Sequence, residues 1–551
     1  MAGPLLIGAP NPLAKLWGLS FILTYTVSCL LRETSIGTVV TSEPKHRGSG
    51  ILQPILHTMW PVYLLVGISV AYFAYNRFVH PLHKVPGPLL ASISPLWLAW
   101  QCMHQRRPTL DLELHKRYGS VVRIAPDHVI FSSPAYFKAV YGAGTKFTKS
   151  RWYEAPTDAA SKPSWENVDM LVERDTAKLG VQKRLAVPVY NNSERHQNLM
   201  DNNIQRWHHR LQGLTGRPLD MWSNFELLVV DMMSEVTFAV PFGAVESGSD
   251  GGHMDAMWSL WRWWGWIGFL PWLNALDLRF SPYRTYLRPG MTLPVFPFCG
   301  GKIGAYFGAQ QAGEGYPPCL LDDFQKLSHD KPEFRPSWAA KLPMTSIGAG
   351  VDTISQSLAA VVAGVSQNKL VYDRLLAELN AAVDDGRISK GQPVPYEVAS
   401  QMEYLQACIR EAMRMWPNIA IALPRIVPSG GIELDGYYIS AGQTVGMNPR
   451  QLGRTEEIFG ADPESFQPER WLKATNQQRN DMEMYNLAFG GPSRKCPGMR
   501  LAYVVLSKIL ASLFLDFHIE TLNKMDGAPG PGGGRWIEEG GELVWNDISE
   551  T

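Results

Sequence analysis

The sequence has no excess of charge of either sign, because 51 basic and 51 acidic side chains cancel over its 551 residues. Such a balance draws no polyanion over long range, which disfavours nucleic-acid binding as the function. Cysteines are few: six, at 29, 102, 299, 319, 408 and 496, with no CxxC pair and no metal-finger spacing. So sparse a set builds neither a disulfide framework nor a zinc finger, and it suits a domain facing the reducing cytosol. Internal repeats are absent, and no linker divides the chain after Pro88, which argues against a solenoid or a string of small domains. What is plentiful is apolar material, 45% of residues with 11% aromatic. That is enough for a large core and for a surface that meets lipid.

One stretch stands out. From Phe489 to Gly498 the chain reads Phe-Gly-Gly-Pro-Ser-Arg-Lys-Cys-Pro-Gly, and an apolar helical pattern continues from Met499 to Phe517. Cys496 therefore sits on a turn-rich loop entering a helix. Backbone N–H groups at the helix start, together with Arg494 and Lys495, favour a thiolate there. The glycines let a flat macrocycle come close to the backbone. A thiolate on the iron of a haem promotes O–O cleavage, which is oxygenase chemistry. A buried structural cysteine beside a Gly/Pro turn reads the same way.

The segment resembles the haem-binding signature of the cytochrome P450 family, F-x-x-G-x-R-x-C-x-G. Phe489, Arg494, Cys496 and Gly498 match in type and spacing, while Pro492 replaces the signature's middle glycine. Proline fixes φ and removes a donor, so the local turn is expected to differ. The resemblance implies a haem (iron protoporphyrin IX) with Cys496 as axial metal ligand and Arg494 at a propionate.

Further runs extend the resemblance. Residues Ile347 to Thr353 have helical apolar spacing yet carry two glycines and an Asp-Thr pair. Each glycine costs ~1 kcal/mol against alanine in a helix interior, which points to a close approach to the backbone. A helix kinked by glycine and a back-bonding threonine explains the same residues. Ala349, Gly350, Asp352 and Thr353 are in register with the family's A/G-G-x-D/E-T motif. The resemblance implies oxygen approaching at Gly350, protons relayed by Asp352, and a hydrogen-bonding hydroxyl on Thr353. Glu411 and Arg414 lie three apart on one helical face, and with Arg470 they match the family's Glu-Arg-Arg triad, a buried network expected to fix the cysteine loop. Leu423-Pro424-Arg425 resembles the strand whose arginine meets a propionate, and Asn418 to Ala422 is expected to line the pocket.

Lys178 to Asn191 resembles the family helix whose arginine binds a propionate. Lys183 falls at that position and Leu179 where an aromatic is usual; either Lys183 or Arg184 supplies a cation, or the run is a solvated basic face. Phe147 to Tyr153 begins what is the pocket roof in the family, making Trp152 and Tyr153 candidate substrate contacts or packing residues. Six tryptophans crowd into Trp258 to Trp272. Adjacent Trp263 and Trp264 cannot share a helix face, so this segment is read either as dipping into the bilayer interface or as an aromatic core.

At the N-terminus, Leu16 to Leu31 is uncharged between Lys15 and Arg32. It is short for a span of ~20 residues and is read as a first membrane segment or a secretory signal. Ile51 to Tyr75 contains no Asp, Glu, Lys or Arg and is expected to be the membrane anchor. Arg77, His80, His83 and Lys84 come next, which places the remainder in the cytosol. Lys84-Val85-Pro86-Gly87-Pro88 reads as a stiff hinge or a plain loop.

The expected organisation is an extension (1–50), an anchor (51–75), a hinge (76–90) and one haem-thiolate catalytic domain (91–551). The fold class implied is mainly α (α+β), the cytochrome P450 fold with small β-regions. The activity implied is insertion of one atom of O2 into an apolar small molecule, in the style of ascomycete enzymes that tailor terpenoids, polyketides or alkaloids. The alternatives are a haem-thiolate isomerase or dehydratase, and a non-catalytic haem-binding membrane protein. The stretch beyond Cys496 is too short for a fused flavoprotein. Electrons are therefore expected from a separate NADPH–cytochrome P450 reductase, with cytochrome b5 as a second donor, at the endoplasmic reticulum membrane.

Overall fold

A computed structural model describes residues 52–156, 165–216, 218–279, 293–521 and 542–547. The first apolar segment, 16–31, lies outside them. The second forms one helix, α1 (Leu52–Ala74), prolonged by a π-helical turn over Tyr75–Val79. Residues 62–79 are long and apolar enough to cross a membrane. Tyr63, Leu64, Val66 and Val70 are each more than half exposed, and a row of bare apolar side chains on a helix calls for a cover other than water.

The run after α1 is clamped to the body rather than left as a free hinge. Arg123 is buried in Val121–Ala125 (β1) and donates from Nη1 to the carbonyl oxygens of Asn76 (2.9 Å) and Leu82 (3.4 Å). Its backbone N–H donates to Pro86 at 2.7 Å. A Cβ at Gly87 would stand 2.2 Å from the Arg123 carbonyl oxygen, so the turn tolerates only glycine there.

β1 pairs with His128–Phe131 (β2) in the hairpin expected from the sequence. Thr148–Lys149 (β3), Arg425–Ile426 (β4) and Thr444–Gly446 (β5) complete the sheet in the order β1-β2-β5-β4-β3. β2 and β5 run parallel, and the other pairs antiparallel. The register sets Lys149 directly opposite Arg425. Three segments far apart in sequence thereby meet in one sheet.

The rest of the described chain is mainly helical. Thr176–Asn191 (α2) starts at Asp175, whose carboxylate accepts from the N–H groups of Ala177 and Lys178, an N-cap that satisfies two orphan donors. Met221–Phe238 (α3) is buried along almost its whole length. His253–Ile267 (α4) carries the tryptophans, and Pro336–Ser366 (α5), Glu403–Met415 (α6) and Met499–Asp516 (α7) finish the core. Trp258, Trp261 and Trp264 pack against the main core, while Trp263 meets Trp266 edge-on at 4.5 Å and donates to Asp277 at 3.3 Å. Both faces of α4 are thus apolar, and all six tryptophans are half-buried.

α5 runs through the middle of this core. A Cβ at Gly350 would stand 2.8 Å from Met233 Cε on α3. A neighbouring helix makes one close approach to this glycine.

Candidate functional site

The loop from Phe489 to Gly498 is built by its own backbone. The Cys496 N–H donates to the Phe489 carbonyl at 2.7 Å, and the Gly490 and Arg494 N–H groups donate back to Leu487 and Gly491, each at 2.8 Å. Gly490 has φ +77°, where a side chain is strained. A Cβ at Gly491 would stand 2.9 Å from Tyr141 Cβ. Pro492 opens a short 3-10 turn, Pro492–Arg494, so the departure from the signature is absorbed at a position that suits proline. Phe489 lies beside Tyr503 with ring centroids 5.4 Å apart.

Cys496 keeps exposed surface although protein surrounds it closely. Burial pushes its thiol up, against a backbone hydrogen bond from Gly498 and the charge of Lys183. This differs from the expectation that the loop itself, with Arg494 and Lys495, favours a thiolate. Desolvation outweighs those donors, and a metal ion is what would hold the deprotonated form.

Lys183 reaches the same loop, donating from Nζ to the Lys495 carbonyl at 2.6 Å, whereas Arg184 is exposed on the far side of α2. Leu179 is buried.

Three more cations converge next to the loop. Arg425 is buried and donates from Nη1 to the Tyr153 hydroxyl (2.9 Å) and the Pro424 carbonyl (3.1 Å). Arg494 donates to the Ser493 carbonyl (3.0 Å) and to Thr176 Oγ1 (3.1 Å). The Nε of each has no partner among the described residues. Lys149, which sequence reasoning missed, is the third cation. Tyr153 is thereby a partner of Arg425, and Trp152 packs against α4, its indole 2.5 Å from where a Gly268 Cβ would stand. Neither is placed as a substrate contact.

On α5, Thr353 Oγ1 donates to the Ala349 carbonyl at 2.8 Å. Its proton is engaged within the helix, so the hydroxyl presents acceptor lone pairs outward. Asn418 donates to the Thr353 carbonyl at 3.1 Å and to Ser357 Oγ at 3.1 Å, which ties the 418–422 segment to this turn of α5. Asp352 is buried, its Oδ1 has no partner among the described residues, and burial raises its carboxyl to about 7. It holds a proton near neutrality.

The expected triad is present. Arg414 donates to both Glu411 oxygens (2.8 and 2.7 Å), and Arg470 Nε and Trp471 Nε1 each donate to one of them at 2.9 Å. Burial alone would raise the Glu411 carboxyl, but the hydrogen bonds and charge of Arg414 and the charge of Arg470 hold it below its usual range. The carbonyls that the two arginines gather belong to residues 453–465. The network thus fixes the coil preceding the cysteine loop, and not the loop directly.

A soft sulfur on a glycine-lined loop, a helix with an acceptor hydroxyl and a buried carboxyl, and the buried Arg425 and half-buried Arg494 with unpartnered Nε atoms together fit a flat metal-bearing group with carboxylates at its edge. The chain matches the family model described as Cytochrome P450 over residues 87–281 and 319–532. It is 31% identical over 494 residues to the cytochrome P450 monooxygenase sdnT of Sordaria araneosa, a match that covers 82% of this chain and 88% of that protein. It is 27% identical over 464 residues to the cytochrome P450 monooxygenase gsfF of Penicillium aethiopicum, covering 82% and 90%. It is also 27% identical over 507 residues to pisatin demethylase of Fusarium vanettenii, covering 89% and 93%.

Proposed function

The chain belongs to the cytochrome P450 family and is a P450 monooxygenase, and on that premise we propose that it binds haem through Cys496 and oxidises an apolar small molecule as a tailoring step of fungal secondary metabolism. The fungal sources of its relatives support the setting. The observation that carries the haem reading is the Cys496 loop, closed by its own N–H onto Phe489 and flanked by the buried Arg425 and the half-buried Arg494, whose Nε atoms have no partner among the described residues.

When bound there, haem supplies the activation of O2. The chain's own residues do the rest. Cys496 would supply the sulfur that holds the iron, and Arg425 and Arg494 would offer N–H groups to the propionates. Phe489 and Gly498 shape the loop beneath the ring, and Lys183 anchors α2 to that loop. Thr353 presents an acceptor toward the open side of α5. Asp352 holds a proton one residue away and can release it when its surroundings admit water. Gly350 leaves room for Met233.

α1 supports anchoring in a membrane, which we take to be the endoplasmic reticulum with residues 91–551 on its cytosolic side. Leu89, Leu90 and Trp100, all at least half exposed, extend the apolar surface beyond the anchor. The electron donor in this reading is NADPH–cytochrome P450 reductase, with cytochrome b5 as an auxiliary.

The test is product formation in membranes that contain the protein and added reductase, supplied with extract from the producing cells. A product heavier by one oxygen atom, dependent on both NADPH and O2, is expected. An isomerised or dehydrated product that forms without NADPH would replace this reading with that of an isomerase or dehydratase. Haem-loaded protein that transforms nothing would make it a binding protein.

A further inference from the structure

Arg107, Arg123 and Arg414 are buried alike, with 2%, 1% and 1% of their surface exposed, yet they end differently. Both Nη atoms of Arg123 donate to backbone carbonyls, and so do both Nη atoms of Arg414. Arg107, at the start of the helix Arg107–Tyr118, gives its Nε to Asp111 Oδ1 at 2.6 Å, while its Nη1 and Nη2 have no partner among the described residues. Cys102 lies beside it, but burial pushes that thiol up to about 11, so it is a neutral and weak acceptor. A buried guanidinium with an open fork is costly until an acceptor fills it. The planar fork, with its two parallel N–H groups, matches a carboxylate.

A second open donor lies in the same place. His128, the first residue of β2, is 3% exposed, and its Nε2 has no partner among the described residues. Burial, then the charge of Arg107, holds the imidazole well below its usual value, so the ring is neutral and donates from one nitrogen. Phe269, just beyond α4 and partly exposed, joins the two. Its ring centroid is 5.6 Å from the Arg107 guanidinium carbon and 5.9 Å from the centre of the His128 ring. The same apolar cluster includes Leu110, Ile130 and Ala422. Asp111 Oδ2 accepts from Asn448 Nδ2 at 3.1 Å, and that amide also donates to the Ala420 carbonyl at 2.9 Å. One short segment, 418–422, therefore joins these donors to the turn of α5 that carries Thr353.

We propose that Arg107 and His128 hold a carboxylate of the substrate under the ring of Phe269, so that the apolar small molecule this enzyme oxidises is a carboxylic acid. This rests on the substrate reading above and narrows it. Asp111 keeps Nε, the substrate's two oxygens take the outer edge of the guanidinium, and His128 adds a neutral donor. A bound carboxylate thereby removes the cost of the open fork, which a packed apolar neighbour does not.

The experiment supplies haem-loaded protein and added reductase in membranes with extract from the producing cells, one portion as drawn and one whose acids have been converted to methyl esters. Wild type should consume an acid from the first portion and leave its ester in the second untouched. Arg107→Lys keeps a charge beside Asp111 but loses the fork, and it should raise KM for that acid at least about tenfold with kcat nearly unchanged, the loss of one charged hydrogen bond. His128→Leu removes only an unpartnered donor, so the substrate-free holoprotein should unfold no earlier than wild type while KM rises in the same direction by less. That second variant carries the test if Arg107→Lys does not fold. Equal consumption of the acid and its ester, or a KM unmoved in His128→Leu, would overturn the anchor and leave the fork to water. Absence of any NADPH-dependent product from either portion is a separate result and would overturn the substrate reading instead.

Discussion

Two clusters, each of three charged side chains and largely buried, stand among the described residues, and they are built on opposite plans. Glu411, Arg414 and Arg470 form one in which every charge meets an opposite charge, and the arginines' remaining N–H groups are taken up by backbone carbonyls. Lys149, Arg425 and Arg494 form the other, in which all three charges are positive and two Nε atoms lack partners among the described residues. The first is complete without any ligand and is structural. The second is costly as it stands and becomes favourable only with an anion. Sign and satisfaction of charge, more than burial, separate a scaffold from a binding site.

That contrast can be broken most forcefully at Glu411. Glu411→Ala leaves two arginines buried beside one another and should destabilise the fold by about 3–5 kcal/mol; thermal unfolding and the yield of folded protein check it, and a variant as stable as wild type would show that the triad is not what fixes the 453–465 coil.

Asp352 supplies a third case, a buried carboxyl whose Oδ1 has no partner among the described residues and whose pKa burial raises. Its folded value of about 7 lies above the unfolded 3.8. The unfolded chain therefore loses its proton first, and the group lowers stability progressively as pH rises from about 4 to about 7, with the full loss above that. Asp352→Asn should then unfold later than wild type at about pH 8, by on the order of 2–4 kcal/mol, and no differently below about pH 4. Parallel stability curves for the two proteins would contradict this.

The smallest expected effect sharpens the contrast from the ligand side. Arg425→Met should leave the haem-free fold at least as stable as wild type, while haem release quickens by about tenfold. Equal loss of stability with and without haem would make Arg425 part of the scaffold.

Much of this was legible in the chain. Cys496, Arg494 and Arg425 lie in motifs that the family resemblance picks out, Glu411 and Arg414 were found by their spacing, and Arg470 by the resemblance. The helix around residues 347–353 was legible in its periodicity. At Gly350 the glycine announces a close approach without saying what approaches; the Met233 side chain that does so comes from a helix more than a hundred residues away. Which of Lys183 and Arg184 lies against the loop needed the phase of α2 on the body. Lys149 was missed because a lysine at a strand end looks solvated, and only the register of β3 against β4 reveals that it is buried opposite an arginine. Trp152 and Tyr153 were drawn inward by Gly268 and Arg425, partners too distant in sequence to anticipate.

The central claim is a bond between the sulfur of Cys496 and the iron of a haem. The most direct measurement is the absorption spectrum of the reduced, carbon monoxide-bound protein, wild type beside Cys496→Ala. A thiolate-type Soret band in the wild type that is lost in the variant is the predicted result; a wild type without that band, or a variant that keeps it, would contradict the account.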